Sequence, residues 1–292
     1  MEYQVLQQLE KRRYAVLLCN GAAIALFAVA ILGQYASQLY LLFFIPAATL
    51  LFIGVHLRKQ YALLYKQHFV EATLKNVFDD VRFMPDYGFD RDRIAGTNMV
   101  SMGNTYSSND YLKASYKGVS FEQADVYIAM RSRRSNVTLF RGRWMIFEFN
   151  KAFRSDMQVR DAAFRSAKRG GWFSEREKMP EIYTESADFN GRFRVFAYDR
   201  QEAFYILTPH FMEQLTALNA KMSGPLLLCF LNNRLHIACD SRTDAFEPRI
   251  LERVDPNTAI HETYRDIALL TQIIDTLTLN TTIFKEKRGT VK

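Results

Sequence analysis

The chain has 292 residues, 49% of them hydrophobic and 24% charged, the balance of a folded protein. Its formal net charge of +7 falls short of a dedicated nucleic-acid binder, and three cysteines make no disulfide framework. Gly and Pro are scarce, at 13 and 7, which argues against long disordered linkers.

Two apolar runs come first. Residues 14–33 read YAVLLCNGAAIALFAVAILG and residues 39–57 read LYLLFFIPAATLLFIGVHL, and neither holds Asp, Glu, Lys or Arg. Each has about the 20 residues that cross a hydrocarbon core. The five residues between them are uncharged, so the chain is expected to turn back and form a two-helix transmembrane hairpin. Lys11, Arg12 and Arg13 precede the first run, and Arg58 and Lys59 follow the second. By the positive-inside rule these five residues set the topology, with both termini cytoplasmic. A cleaved signal peptide and a buried soluble helical hairpin are the competing readings, but the first run is longer than signal segments need, a second run follows at once, and neither run has a polar face. Gly21, Ala25 and Ala28 form a small-residue stripe at helical spacing. It is read as packing on the partner helix, with homo-oligomerisation as the alternative. Asn20 suits an interhelical hydrogen bond, since one polar residue makes no transport path.

Residues 1–57 thus form the N-terminal segment and hairpin. Residues 58–88 read as a juxtamembrane helical stalk, with Leu64, Phe69, Leu74, Val77, Phe78 and Val81 at helical spacing before Pro85 and Gly88. Residues 89–292 read as a cytoplasmic domain.

Within that domain, Val126–Met130 and Thr138–Phe149 are rich in β-branched and aromatic residues and predict strands joined by a turn at Ser132–Asn136. Residues 165–180, charged and carrying Gly170-Gly171 before Pro180, predict an exposed loop. Phe193–Tyr198 and Ala203–Leu207 predict a hairpin around Asp199-Arg200-Gln201. Thr208 followed by Pro209 predicts a helix start. Leu226–Leu231 and Leu235–Cys239 predict a hairpin across Asn232-Asn233. A last helix is expected over residues 260–279. With no βαβ alternation and no Gly-rich phosphate fingerprint, the fold class is α+β with mainly antiparallel strands and flanking helices.

Several residues carry candidate chemistry. A two-residue turn at Asn232-Asn233 puts Cys229 opposite His236, a pair that could activate a thiolate; a buried Cys beside a half-exposed sheet His is the plainer reading. His210 is read as a first-turn surface residue. Asp79, Asp80, Asp90 and Asp92 are interleaved with arginines, which favours a solvated mixed-charge surface over a cation site. No spacing suits a metal or a cofactor, and none is expected. Arg131, Arg133 and Arg134, with Lys168, Arg169 and Trp172, form a basic set with an aromatic beside it, suited to anionic lipid or a protein partner.

The strings Asn109-Asp110-Tyr111, Tyr116-Lys117-Gly118-Val119-Ser120-Phe121, Phe140-Arg141-Gly142-Arg143-Trp144, Phe149-Asn150-Lys151, Phe189-Asn190, Tyr205-Ile206-Leu207-Thr208-Pro209 and Phe246-Glu247-Pro248 occur in this order. Together they resemble a bacterial family of unknown function, sometimes labelled galanin-like. One departure is Ala114, where that pattern has Gly. The resemblance implies a transmembrane hairpin with a soluble α+β domain and suggests a LemA-type membrane partner. It supplies no catalytic residues.

The expectation is a membrane-anchored interaction or scaffold module in the bacterial inner membrane. It binds the bilayer and a membrane or envelope protein, and not nucleic acid. Two alternatives stay open: an enzyme acting at the membrane surface through dispersed residues, and an anionic-lipid-sensing module.

Overall fold

A computed structural model describes residues 2–33, 42–148, 155–164 and 179–277. The chain divides into two compact units. The first comprises Met1–Thr73 with Phe246–Tyr264; the second comprises Leu74–Ala245 with Arg265–Lys292.

The first unit is built on α1 (Glu2–Gly33) and α2 (Phe44–Tyr65), followed by a π-helical turn (Lys66–Val70). Leu9, Val16, Ala23 and Ala30 of α1 are fully buried, as is Ala47 of α2; Tyr61 is 1% exposed and Gly54 is buried. Both sets recur every seven residues, the repeat of a helix–helix seam. Arg12 Nη1 donates to Gln60 O at 3.0 Å, and the rings of Phe27 and Phe44 lie 5.8 Å apart, so contacts step in opposite directions along the two helices. The close approach is at Gly54, where a side chain would collide with Asn20 Oδ1.

This corrects the small-residue stripe. Gly21, Ala25 and Ala28 are exposed, and nothing lies within 4 Å of a Cβ placed on Gly21. The stripe against α2 is instead Ala23 and Ala30, because a seam follows the seven-residue repeat and not the smallest residues.

Among the described residues one helix, Tyr3–Leu32, is long and apolar enough to cross a membrane, with mean hydropathy 2.5 over its best window and 17% of that window buried. Residues 34–41, which include the first three of the run 39–57, lie outside the described residues.

The expected helical stalk stops short. After α3 (Glu71–Val77) comes a strand, β1 (Asp79–Met84), which takes in Val81, the last residue of the expected helical spacing. Alternation settles it: Phe83 is buried and Arg82 exposed, and the strand pairs with β2 (Thr105–Tyr116).

Among the described residues the second unit holds a nine-stranded sheet in the order β1-β2-β3-β4-β9-β8-β5-β7-β6, and every pairing there is antiparallel. Its further strands are β3 (Val119–Arg131), β4 (Asn136–Glu148), β5 (Met157–Asp161), β6 (Glu181–Ile182), β7 (Phe193–Ala197), β8 (Leu226–Leu231) and β9 (Arg234–Cys239). The α+β class with largely antiparallel strands is therefore observed. Helices are α4 (Arg91–Ala95), α5 (Ala187–Arg192), α6 (Arg200–Ile206), α7 (Pro209–Lys221) and α8 (Pro256–Thr276), the last running from the first unit into the second.

Two tight turns fix register. Lys117 and Gly118 both have positive φ between β2 and β3, and Asn232 has φ 56° between β8 and β9. Such turns match strand twist. Cys229 is indeed the partner of His236, as the two-residue turn requires.

The first strand of the expected hairpin at Asp199 is β7, but its second, Ala203–Leu207, falls largely in the helix α6. Asp199 Oδ1 accepts from Gln201 N at 2.9 Å and Glu202 N at 3.1 Å. That side chain caps α6 in place of turning a hairpin. Thr208 does cap α7, its hydroxyl accepting from Phe211 N at 3.2 Å. The expected loop at 165–180 falls almost wholly outside the described residues, as do Lys168, Arg169 and Trp172.

Alternation gives the sheet two buried faces. Ala124, Val126, Ile128, Phe140, Trp144, Ile146, Leu227 and Ala238 share one, packed with Phe89, Ile94 and Met99. Burying each such aliphatic or aromatic side chain contributes ~1.5–3 kcal/mol. Directly paired residues share a face, so Asp125, Arg143 and Cys239 stand together on the opposite one.

Candidate functional site

That opposite face carries a cleft of about 380 Å³. Its floor is Arg143 of β4 and Cys239 of β9. Its walls are Lys221 at the end of α7 with Met222 and Ser223 after it, Ser241, Thr243 and Asp244 after β9, and Arg265, Asp266, Ala268, Leu269 and Gln272 of α8. The α8 residues follow helical spacing because Ile267, Leu270 and Ile274 turn the other way and are buried.

Two ion pairs organise the floor. Arg143 Nη2 donates to Asp266 Oδ1 at 2.6 Å, and Arg143 Nη1 donates to the Asp266 carbonyl oxygen. Arg141 holds Asp244 with both ends of its fork, Nη2 to Oδ2 at 2.6 Å and Nε to Oδ1 at 3.1 Å. Such bidentate pairs are geometrically rigid. The side chains of Lys221 and Arg265 have no hydrogen-bond or ion-pair partner among the described residues.

Beneath the floor lies Asp125, 1% exposed and the strand partner of Arg143. Its Oδ2 accepts from Ala245 N, while its Oδ1 has no hydrogen-bond partner among the described residues. Burial pushes its carboxyl up to about 8, against the opposing pull of Arg143. Gln123, two residues along the same face, is fully buried with neither side-chain polar atom partnered among the described residues. Gly142 makes room at the edge: a Cβ there would strike the Cys239 carbonyl oxygen.

The Cys229–His236 pair is not on this face. His236 Nδ1 accepts from Trp144 Nε1 at 3.2 Å, and burial drops the imidazole to about 3, so it is neutral. Cys229 Sγ points to Thr97 O at 3.8 Å. The plainer reading, a buried Cys beside a sheet His, is the one observed, except that His236 is buried too. Burial also pushes the Cys239 thiol up to about 11.

Residues 138–279 match the family model described as "Protein of unknown function (DUF3137)". The match spans somewhat under half of the chain. The crystal structure of the mycobacterial trehalose monomycolate transport factor A, TtfA, superposes with a TM-score of 0.36 at 6% identity, covering 72% of this chain and 94% of that one. At that score the likeness bears on neither fold nor function. No curated protein matches the chain.

The remaining expected residues fall as follows. Arg131, Arg133 and Arg134 are exposed at the β3–β4 tip, where Ser132 N donates to Ser135 O at 2.8 Å. His210 is exposed and hydrogen-bonded to Gln214 at 2.8 Å. Lys11, Arg12 and Arg13 lie within α1, and Arg58 and Lys59 within α2. Arg13 is buried and its Nη2 pairs with Glu10 at 2.8 Å. Among the described residues no group of three or more His, Cys, Asp or Glu could hold a metal ion. The cleft escaped sequence reading because its residues come from four separated segments. The one local hint was Phe140–Trp144, whose Arg141 and Arg143 share one face of a strand while Phe140 and Trp144 take the other.

Proposed function

We propose that the protein is a membrane-anchored interaction module, held by two spans in a bacterial inner membrane with both termini cytoplasmic. The observation that carries this reading is the apolar, largely unburied surface of α1: Leu18 is 72% exposed, and Ile24 and Leu32 are likewise open. Apolar surface of that extent needs lipid or a partner to cover it. On α2, Ile45, Phe52 and Val55 are exposed as well, which supports a second span. Lys11, Arg12, Arg58 and Lys59 bracket the two apolar runs on the proposed cytoplasmic side. The exposed Arg131, Arg133 and Arg134 tip offers a contact for a protein partner or anionic lipid. A LemA-type protein is the partner suggested by the resemblance to the galanin-like family. The open Gly21–Ala28 stripe would serve self-association.

Affinity purification of the tagged full-length chain from membranes in mild detergent tests this, with a chain lacking residues 70–292 as control. A membrane protein recovered only with the full chain supports the reading. Recovery of the full-length chain in the salt-washed soluble fraction, or without any specific partner, sinks it. The second reading, an enzyme at the membrane surface, draws on the polar cleft; turnover lost on Arg143→Met would favour it.

A further inference from the structure

The cleft over Arg143 has an imbalance of charge. Its two carboxylates, Asp244 and Asp266, are each engaged by an arginine. Two further cations line the same space, Lys221 and Arg265, and neither has a partner among the described residues. They come from different elements, the end of α7 and the start of the second unit's part of α8, so no local helix pairing explains their meeting. The volume, about 380 Å³, lies within the range of organic-ligand sites and exceeds what a bare inorganic ion fills. Met222, Ala268 and Leu269 supply apolar wall beside the Ser223 hydroxyl.

We propose that this cleft binds the phosphate-bearing end of a small organic molecule, with Lys221 and Arg265 taking the phosphate. A phosphate monoester is a dianion with several acceptor oxygens, and an ammonium with a guanidinium fork offers both charge and donors. Arg143 forms the floor but is already held by Asp266, so it shapes the site and lends field more than donors. The apolar wall receives the organic body. The same chemistry belongs to a soluble phosphate ester and to a phosphomonoester lipid headgroup. The inference stands on the cleft alone and does not need the membrane reading.

Calorimetric titration of the full chain in a neutral detergent tests it in two arms. One uses glycerol 3-phosphate and the other a short-chain phosphatidic acid, with glycerol as the uncharged control. Both cations are exposed, so the double variant Lys221→Glu, Arg265→Glu keeps the fold, as its unfolding transition will verify. The expected result is saturable binding in at least one arm, weakened about tenfold or more in the double variant and by added salt. Exchanging the cations, Lys221→Arg with Arg265→Lys, should preserve most of it. Binding in both arms means the phosphate group suffices; binding in the lipid arm alone assigns the site to a headgroup. No binding in either arm, or binding that the double variant leaves unchanged, overturns the proposal.

Discussion

Asp125 of β3 is the strand partner of Arg143 of β4, and the guanidinium of Arg143 is bound in turn by Asp266 of α8. Arg143 therefore stands between a buried carboxyl and a half-buried one, and ties the helix to the sheet within one unit. Replacing it with Met leaves the Asp266 carboxylate without its ion-pair partner and removes the guanidinium that opposes the upward push on Asp125. Breaking a buried pair from one side costs about 3–5 kcal/mol. Urea unfolding in detergent should show that loss for Arg143→Met, and a smaller one for Asp266→Asn, whose carboxylate is more exposed.

Asp125 gives the protein a pH dependence of definite sign. Its folded-state value, about 8, lies above its ordinary value of 3.8, because burial penalises the charged form. The folded state therefore binds the proton more tightly than the unfolded chain does. The contribution is full below pH 4 and is lost as the pH rises through about 8. Thermal midpoints across that window should fall for the native chain by more than for Asp125→Asn, in which this site cannot titrate. Parallel curves for the two proteins would contradict the assignment.

Cys239 lines the cleft yet should be a poor nucleophile. Its thiol, pushed up to about 11 by burial, carries almost no thiolate at pH 8. Cys229 is fully buried. Alkylation followed by mass spectrometry should modify both at least about tenfold more slowly in the native chain than in urea. Rapid native labelling of Cys239 would revive a thiol chemistry for the cleft.

Thr208 closes the N-terminus of α7 through its hydroxyl. Thr208→Ala should cost about 1 kcal/mol, and Thr208→Ser almost nothing, since Ser keeps the acceptor. Equal losses for Ala and Ser would mean that the methyl group matters and the cap does not.

Local patterns carried much of the fold into view. The apolar run of α1, the Thr208-Pro209 start of α7, and the antiparallel pairing of Cys229 with His236 across Asn232-Asn233 all follow from neighbours in sequence. So does the α+β class. Where a local pattern served two structures, the sequence reading chose wrongly. Val81 fits a helix or a strand, and the pairing of neighbouring Phe83 with Leu112 decided for the strand. Asp199 fits a turn or a cap, and the free backbone donors of α6 decided for the cap. Gly21, Ala25 and Ala28 are small, but the seven-residue seam through Ala23 and Ala30 chose the buried side.

The site was decided by tertiary structure alone. Residues 143, 221, 239 and 265 meet only after β4 and β9 pair and α7 and α8 cover the sheet. Phe246–Tyr264 joins Met1–Thr73 in one unit although some 170 residues separate them in the chain. Helical and strand periodicity records which way a side chain faces. It carries no information on which distant segment comes to lie opposite, because that choice is made by packing and by charge pairing such as Arg143 with Asp266.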